Sequence, residues 1–199
     1  MLRTNRQMQA AATKQRIFDH AVSLFASNAY EKISVSDICK SAGVSVGAFY
    51  HHYKNKESIL NEGYHLFDDA LEQKWNERRP IVGRKGIEFL VYEQMRSMQD
   101  MGAAAAAQYF KNQLTAEEKY ILNKERFFYR AVTDCLQAEI NSGHLHGESP
   151  RIADDILCLC RGTIYDWCLH GGQYSLIEQG VKVLEMVFAY YCRNPDAYN

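Results

Sequence analysis

The sequence has little of what marks a β-rich, secreted or membrane-spanning protein. It contains three prolines in 199 residues, and its abundance of Ala, Leu, Glu, Gln and Lys favours helices throughout. No run of 18 apolar residues occurs, so no membrane-spanning helix is expected. The first residues lack the apolar segment of a secretory signal peptide, and the six cysteines lack the spacing of a disulfide framework. These absences predict an all-α, cytoplasmic protein with reduced thiols.

Patterns typical of catalysis and metal binding are also missing. The sequence has no glycine-rich phosphate loop, no nucleophile elbow and no metalloprotease motif. Cys158 and Cys160 lie two residues apart, which on a helix turns their side chains about 200° away from each other. We therefore predict no enzyme activity, no metal site and no cofactor.

The net charge is only −1, but the charges are unevenly distributed. Residues 1–56 carry eight Lys or Arg against three acids, whereas residues 57–199 carry 15 bases against 21 acids. A basic segment on an acidic remainder directs one end of the molecule toward polyanions and keeps the other end away from them.

Two short helices joined by a tight turn are predicted over residues 34–53. Ser34 is expected to cap the first helix, with Asp37 as its capping-box partner. Gly43 can adopt the left-handed conformation that ends this helix, and Ser45 can cap the next one. Two helices with a glycine-containing turn form the helix-turn-helix pattern, in which the second helix enters the DNA major groove.

The run GVSVGAFYHHYKNKESIL, residues 43–60, resembles the DNA-binding domain of the TetR family of transcriptional regulators. One departure is at Asn28–Tyr30, where the family usually has a glycine and where Asn28 is expected to take the left-handed conformation. The resemblance implies DNA contacts from caps, exposed recognition-helix residues and flanking bases, including a small apolar face at 46–48 for thymine methyls. The predicted contacts are Ser34, Ser45, Val46, Gly47, Ala48, Tyr50, His51, Lys54 and Lys56.

Helical periodicity continues to the end of the chain and predicts two domains. Residues 1–55 would form the helix-turn-helix DNA-binding domain, and residues 56–199 a larger helical domain for effector binding and dimerisation. A long helix from residue 57 is expected to link the two. Thr115 is predicted to cap a helix that ends at Ser142–Gly143, on the strength of its Thr-Ala-Glu-Glu sequence.

The second domain is rich in Met and aromatic residues, which suit a hydrophobic or planar small molecule. Most such side chains belong to a core, so the prediction of a pocket depends on the resemblance, which implies an effector site in this domain. The predicted ligand-binding residues are Met95, Met98, Tyr109, Phe110, Phe127, Phe128 and Trp167.

The last two predicted helices carry more apolar surface than a single chain of this size readily buries. An intersubunit four-helix bundle in a symmetric homodimer would bury it. The predicted dimer contacts are Ile164, Leu184, Phe188 and Tyr191.

Together these features predict a homodimeric, ligand-responsive regulator, a repressor released from a palindromic operator by a hydrophobic or aromatic effector. An activator or a ligand-independent regulator of the same fold is the nearest alternative. A helical carrier of small molecules, or a protein-binding module without DNA binding, is the alternative from a different class. Salt-dependent DNA binding is expected of the repressor and of the activator or ligand-independent regulator, but not of the carrier or the protein-binding module.

Overall fold

A computed structural model describes residues 5–27, 30–78, 81–116 and 119–192. Within these ranges the chain forms α-helices and two 3-10 turns, Tyr30–Lys32 and Tyr120–Leu122, without any strand. The helices are α1 (Asn5–Ser27), α2 (Val35–Ala42), α3 (Val46–His52), α4 (Glu57–Asn76), α5 (Gly83–Met101), α6 (Ala103–Thr115), α7 (Phe127–Asn141), α8 (Ser149–Leu169) and α9 (Leu176–Tyr191). The all-α prediction is confirmed. The interpretation of Asn28 lies outside the described residues.

The first three helices, here called the head, share an apolar core with the start of α4. Ile17, Ile38, Phe49 and Ile59, one from each helix, are all fully buried. Because Ile59 and Tyr64 of α4 belong to this core, packing does not stop at residue 55. Helix α4 therefore starts in the head core and continues as one helix to Asn76.

Helices α5 to α9 form the body around a second core. Helix α5 lies centrally, with Ile87 and Leu90 fully buried against α7 and α9. Ile156 of α8 and Leu176 of α9 are also fully buried, which joins the last two helices to the same core. The apolar periodicity of these helices thus corresponds to burial within one chain.

Helix α6 packs against the head as well as against the body. Its residues Ala105 and Tyr109 are buried in the head core, while Ala106 is buried in the body core. A Cβ atom on Gly63 of α4 would lie 1.8 Å from the Tyr109 hydroxyl. Only glycine permits such a close approach of α4 to α6, so this residue fixes how the head meets the body.

The predicted helix over residues 115–142 is wrong in its first half. Thr115 ends α6 instead of capping a new helix, and its hydroxyl donates to the Lys111 and Asn112 carbonyls. Helix α7 begins only at Phe127, after the second 3-10 turn. A capping sequence is a local signal, and here the packing of Gln113 against the following turn, where it accepts from the Ile121 amide, competes with it.

A buried ion pair ties α4 to the start of α7. Arg126 donates two hydrogen bonds to Asp68, at 2.8 and 2.9 Å, and both side chains are 7% exposed. Tyr120 adds a third hydrogen bond to the same carboxylate at 3.1 Å. Burial, and then the Asp68 charge, raise the pKa of the Tyr120 hydroxyl to about 12, so it stays a donor.

The cysteines are all within the described residues, and none forms a disulfide. No group of three or more His, Cys, Asp or Glu in the described ranges is arranged to hold a metal ion. No described helix is both long and apolar enough to cross a bilayer.

Candidate nucleic-acid interface

The first helix of the motif, α2, begins with the expected capping box. The Asp37 amide donates to the Ser34 hydroxyl at 3.1 Å, and the Ser34 amide donates to the Asp37 carboxylate at 2.9 Å. The Ser34 hydroxyl also donates to that carboxylate at 2.6 Å. Both Ser34 donors are therefore used inside the motif, where they fix the start of α2.

The turn between the two helices also follows its sequence signals. Gly43 has φ of 62° and ψ of 40°, the left-handed conformation that a side chain would strain. The Val44 amide then donates to the Cys39 carbonyl at 3.0 Å, which closes α2. The exposed Ser45 caps α3 by accepting from the Ala48 amide at 3.1 Å, and this bond does not use its hydroxyl proton.

The second helix of the motif, α3, divides into a buried and an open side. Phe49 is fully buried, with its ring centroid 5.9 Å from that of Tyr53. On the other side Val46 is 47% and Tyr50 is 55% exposed. Gly47 has no heavy atom nearer than 3.9 Å to an added Cβ, which leaves room for a groove wall.

The polar end of α3 carries two adjacent histidines. His51 is exposed, and its ring centroid lies 5.0 Å from that of the half-buried His52. Burial, followed by the charges of His51 and Lys14, lowers the pKa of His52. His51 is thus the histidine on this helix that is free to meet a base edge or phosphate.

The two predicted lysine contacts have different surroundings. Lys54 is exposed in the turn after α3. The Lys56 ammonium donates to the Tyr30 carbonyl at 2.8 Å and to the Ile33 carbonyl at 3.1 Å, and it lies 4.2 Å from the Tyr30 ring centroid. These contacts make Lys56 an internal brace for the segment before α2, a role that the sequence reading missed.

The open side of α3 and the turn that follows it thus present a small apolar patch, a phenol, an imidazole and an ammonium on one surface. The patch consists of Val46, Gly47 and the half-buried Ala48, and the polar groups are Tyr50, His51 and Lys54. A helix with small residues at its start and polar residues beyond them can approach a major groove closely.

The predicted ligand-binding residues are buried or half-buried. Four of them, Met95, Tyr109, Phe128 and Trp167, are at most 3% exposed, and Tyr109 belongs to the head core. Met98, Phe110 and Phe127 are half-buried against the body core. None of the seven lines the four cavities among the described residues that follow in the next paragraph, so their role in ligand binding stays a prediction.

Two cavities of the body lie along α9. One, of 490 Å³, lies between α5 and α9, near Arg78, and the other, of 580 Å³, lies between α8 and α9 around Gly162. A third, of 340 Å³, lies between the head and α6, next to Lys56 and Lys111, and a fourth, of 200 Å³, lies between α4 and α5. Charged and apolar residues both line the first cavity. In the sequence this mixture looks like an ordinary helix surface, so it gives no signal of a cavity.

Three of the four predicted dimer contacts are core residues of their own chain. Ile164, Leu184 and Phe188 are 1%, 3% and 4% exposed, so nearly all of their surface is already covered within one chain. Tyr191 is half-buried and donates to Asp155. The correction arises because α8 and α9 are apolar on more than one side, and the sequence does not show which side faces the body.

A family model matches the helix-turn-helix region. It is described as bacterial regulatory proteins of the tetR family, and it covers residues 17–62, from α1 through the head into α4. The fatty acid metabolism regulator protein of Bacillus subtilis (strain 168) is 27% identical over 180 residues, which is 86% of this chain and 92% of that protein. The regulator UidR of Escherichia coli (strain K12) is 31% identical over 87 residues, only 43% of its length.

Solved structures share the whole architecture. FadR from Bacillus subtilis in complex with stearoyl-CoA superposes with a TM-score of 0.66 at 22% identity, over 88% of this chain and 97% of that one. The SmeT–triclosan complex gives a TM-score of 0.59 at 17% identity, over 92% and 93%. The match to the tetR-family model is thus confined to the head and the start of α4, while the fold is shared with these solved structures over most of the chain.

Proposed function

We propose that this DNA-binding transcriptional regulator is a ligand-responsive repressor that acts in the cytoplasm as a homodimer on a palindromic operator. Residues 1–55 would supply the DNA-binding domain and residues 56–199 the effector and dimer functions. The observation that carries the proposal is the open side of α3, where Val46 and Tyr50 are about half exposed beside an unobstructed Gly47. Val46 and Tyr50 lie one turn apart on the same side of α3, and contiguous exposed apolar surface marks an interaction site.

The proposed contacts with DNA follow from the apolar groups and hydrogen-bond donors that each side chain leaves unused within the chain. Val46 and Ala48 would meet thymine methyls, and His51 would read a base edge. Ser45, Tyr50 and Lys54 are exposed, and their donors would bind phosphate. Ser34 and Lys56 would act indirectly, because their donors hold α2 and the segment before it.

The dimer would form through the outer side of α8 and α9. Leu159, Tyr165 and Leu169 of α8 are 42%, 56% and 67% exposed, and Met186 and Tyr190 of α9 are 66% and 70% exposed. An added Cβ on Gly162 of α8 would meet nothing within 4 Å inside the chain. A glycine at mid-helix costs about 1 kcal/mol against alanine, and a closely packed partner helix would explain its presence.

The effector is proposed from the family and from two relatives. Regulators of the family bind small molecules and act as dimers. The Bacillus relative is named for fatty acid metabolism, and FadR was solved with stearoyl-CoA. We infer that a hydrophobic molecule with an acyl chain shifts this chain away from the operator-binding conformation, by as much as its affinities for the two conformations differ.

The test begins with selection of binding sites from a random DNA duplex library. The expected result is a palindrome whose half-sites lie about 34–36 Å apart, or a multiple of that distance. Binding to it should fall steeply with salt, with a slope set by the phosphates neutralised. No enrichment of any sequence, together with salt-independent binding, would contradict the function and favour the carrier or scaffold alternative.

A further inference from the structure

The cavity between α5 and α9 has the size and lining of a small-molecule site. Its volume is 490 Å³, within the usual range for ligand pockets. Phe89, Val91 and Leu184 form a buried apolar floor, each at most 9% exposed. Tyr92 and Val181 lie at the mouth and are 43% and 50% exposed, so apolar surface remains open to solvent there.

The charged residues around this cavity are mostly neutralised by each other. Arg84 donates to Glu88 at 2.8 Å, which pairs these two rim charges. Glu93 at the inner end accepts from Lys74 at 2.6 Å and Arg96 at 2.7 Å. Burial alone raises the pKa of the Glu93 carboxyl, but these hydrogen bonds outweigh it and lower that pKa, which keeps the charge pair intact.

Arg78 is the lining cation without a carboxylate partner among the described residues. Its guanidinium carbon lies 4.3 Å from the Phe89 ring centroid. Stacking on an aromatic face orients a guanidinium while its N–H donors remain available for a planar anion. The exposed Glu185 on α9 also lines the cavity, and its carboxylate repels an anionic ligand. An anion therefore binds in this cavity only if its charged group lies closer to Arg78 than to Glu185.

We propose that this cavity binds an acyl chain ending in an anionic group, with the chain on Phe89, Val91 and Leu184 and the anion on Arg78. This proposal deepens, and rests on, the proposed ligand response. Arg78 lies two residues after the end of α4, and its amide donates to the Trp75 carbonyl at 3.3 Å. A bound anion therefore restrains the end of the helix that joins head and body.

The test compares ligands that share a ten-carbon chain and differ in head group. Decanoate, decan-1-ol and decyltrimethylammonium are added to the full-length protein without DNA, and melting temperature and calorimetric affinity are measured. Decanoate should bind most tightly and stabilise the protein in proportion to ln(1 + [L]/Kd). Decanoyl-CoA is tested as well. It carries a thioester at the end of the chain and its negative charge on the nucleotide, so comparing it with decanoate shows which of the two anions the protein binds.

Variants locate the site. Arg78→Gln should weaken decanoate about tenfold or more, because a charge-assisted hydrogen bond is lost, and leave decan-1-ol unchanged. Glu185→Gln should strengthen decanoate, and Val181→Trp should abolish binding of all chains by filling the cavity. Arg130→Gln, an exposed arginine on α7 that does not line the cavity, is the matched control.

Each outcome decides the proposal separately from DNA binding. The proposed site is supported if the wild-type protein binds decanoate more tightly than the other two head groups, and if this preference disappears in Arg78→Gln but not in Arg130→Gln. Equal binding of the three head groups, or decanoate binding unchanged in Arg78→Gln and Val181→Trp, would overturn the site. If the wild-type protein binds its selected operator but neither decanoate nor decanoyl-CoA, the ligand class is wrong while the DNA-binding function stands.

Discussion

Replacing Arg126 by methionine should destabilise the protein more than any surface change of equal size. Arg126 and Asp68 are each 7% exposed and share two hydrogen bonds, so the substitution leaves a buried carboxylate with only the Tyr120 hydroxyl as partner. Removing one member of a buried pair costs about 3–5 kcal/mol, because the remaining charge is uncompensated. For a chain of this length that loss corresponds to a melting temperature lower by about 10 °C.

The assay is urea unfolding followed by circular dichroism, at fixed protein concentration because the proposed dimer would contribute to stability. Arg130→Met, one turn further along α7 and exposed, is the matched control and should change the unfolding free energy by less than about 0.5 kcal/mol. Tyr120→Phe should cost about 1.5–3 kcal/mol, the usual value of one hydrogen bond to a charged group.

A double variant separates charge from packing. Asp68→Leu with Arg126→Met removes both charges and retains apolar volume, so most of the lost stability should return. A loss below about 1 kcal/mol for Arg126→Met alone would refute the reasoning, because it would mean that water reaches the pair or that α4 and α7 are not held together there.

Three further outcomes are expected. Tyr165→Arg should give monomers in sedimentation, since its side chain is 56% exposed on the proposed dimer side of α8; a stable dimer would place the interface elsewhere. Cys158, exposed on α8, should react more slowly with a thiol reagent in the dimer than in that monomeric variant, whereas Cys192 should react equally in both. Lys56→Met should lower the stability of the head, because the Lys56 ammonium binds two backbone carbonyls. The salt dependence of DNA binding should not change. If the slope of log affinity against log salt falls by about one unit, Lys56 is a phosphate contact after all.

The head was predictable because its signals are local. The Ser34 capping box, the left-handed Gly43 and the Ser45 cap each act within four residues, and all three occur in the structure as expected. The burial of Phe49 against the exposure of Tyr50 also follows from helical spacing alone. Local spacing does not reveal which distant groups the end of a long side chain contacts. The Lys56 ammonium, for example, binds carbonyls 23 and 26 residues away.

The body was less predictable because its decisive contacts join distant helices. The Asp68–Arg126 pair spans 58 residues, and the approach of Tyr109 to Gly63 spans 46, so neither leaves a sequence motif. On α8 and α9 the apolar residues are similar in kind on the inner and outer sides. Ile164 and Leu184 were therefore predicted at the dimer interface although they face the chain's own core.

The most direct test of the central claim is the affinity of His51→Ala and Tyr50→Phe for the selected operator and for scrambled duplex at several salt concentrations. His51→Ala should lose about 1–3 kcal/mol on the operator and little on scrambled DNA, because a base reader carries sequence information. Tyr50→Phe should weaken binding to both duplexes alike, because a phosphate contact carries none. Unchanged affinity of both variants for both duplexes would contradict the claim, since it would mean that α3 does not enter the groove.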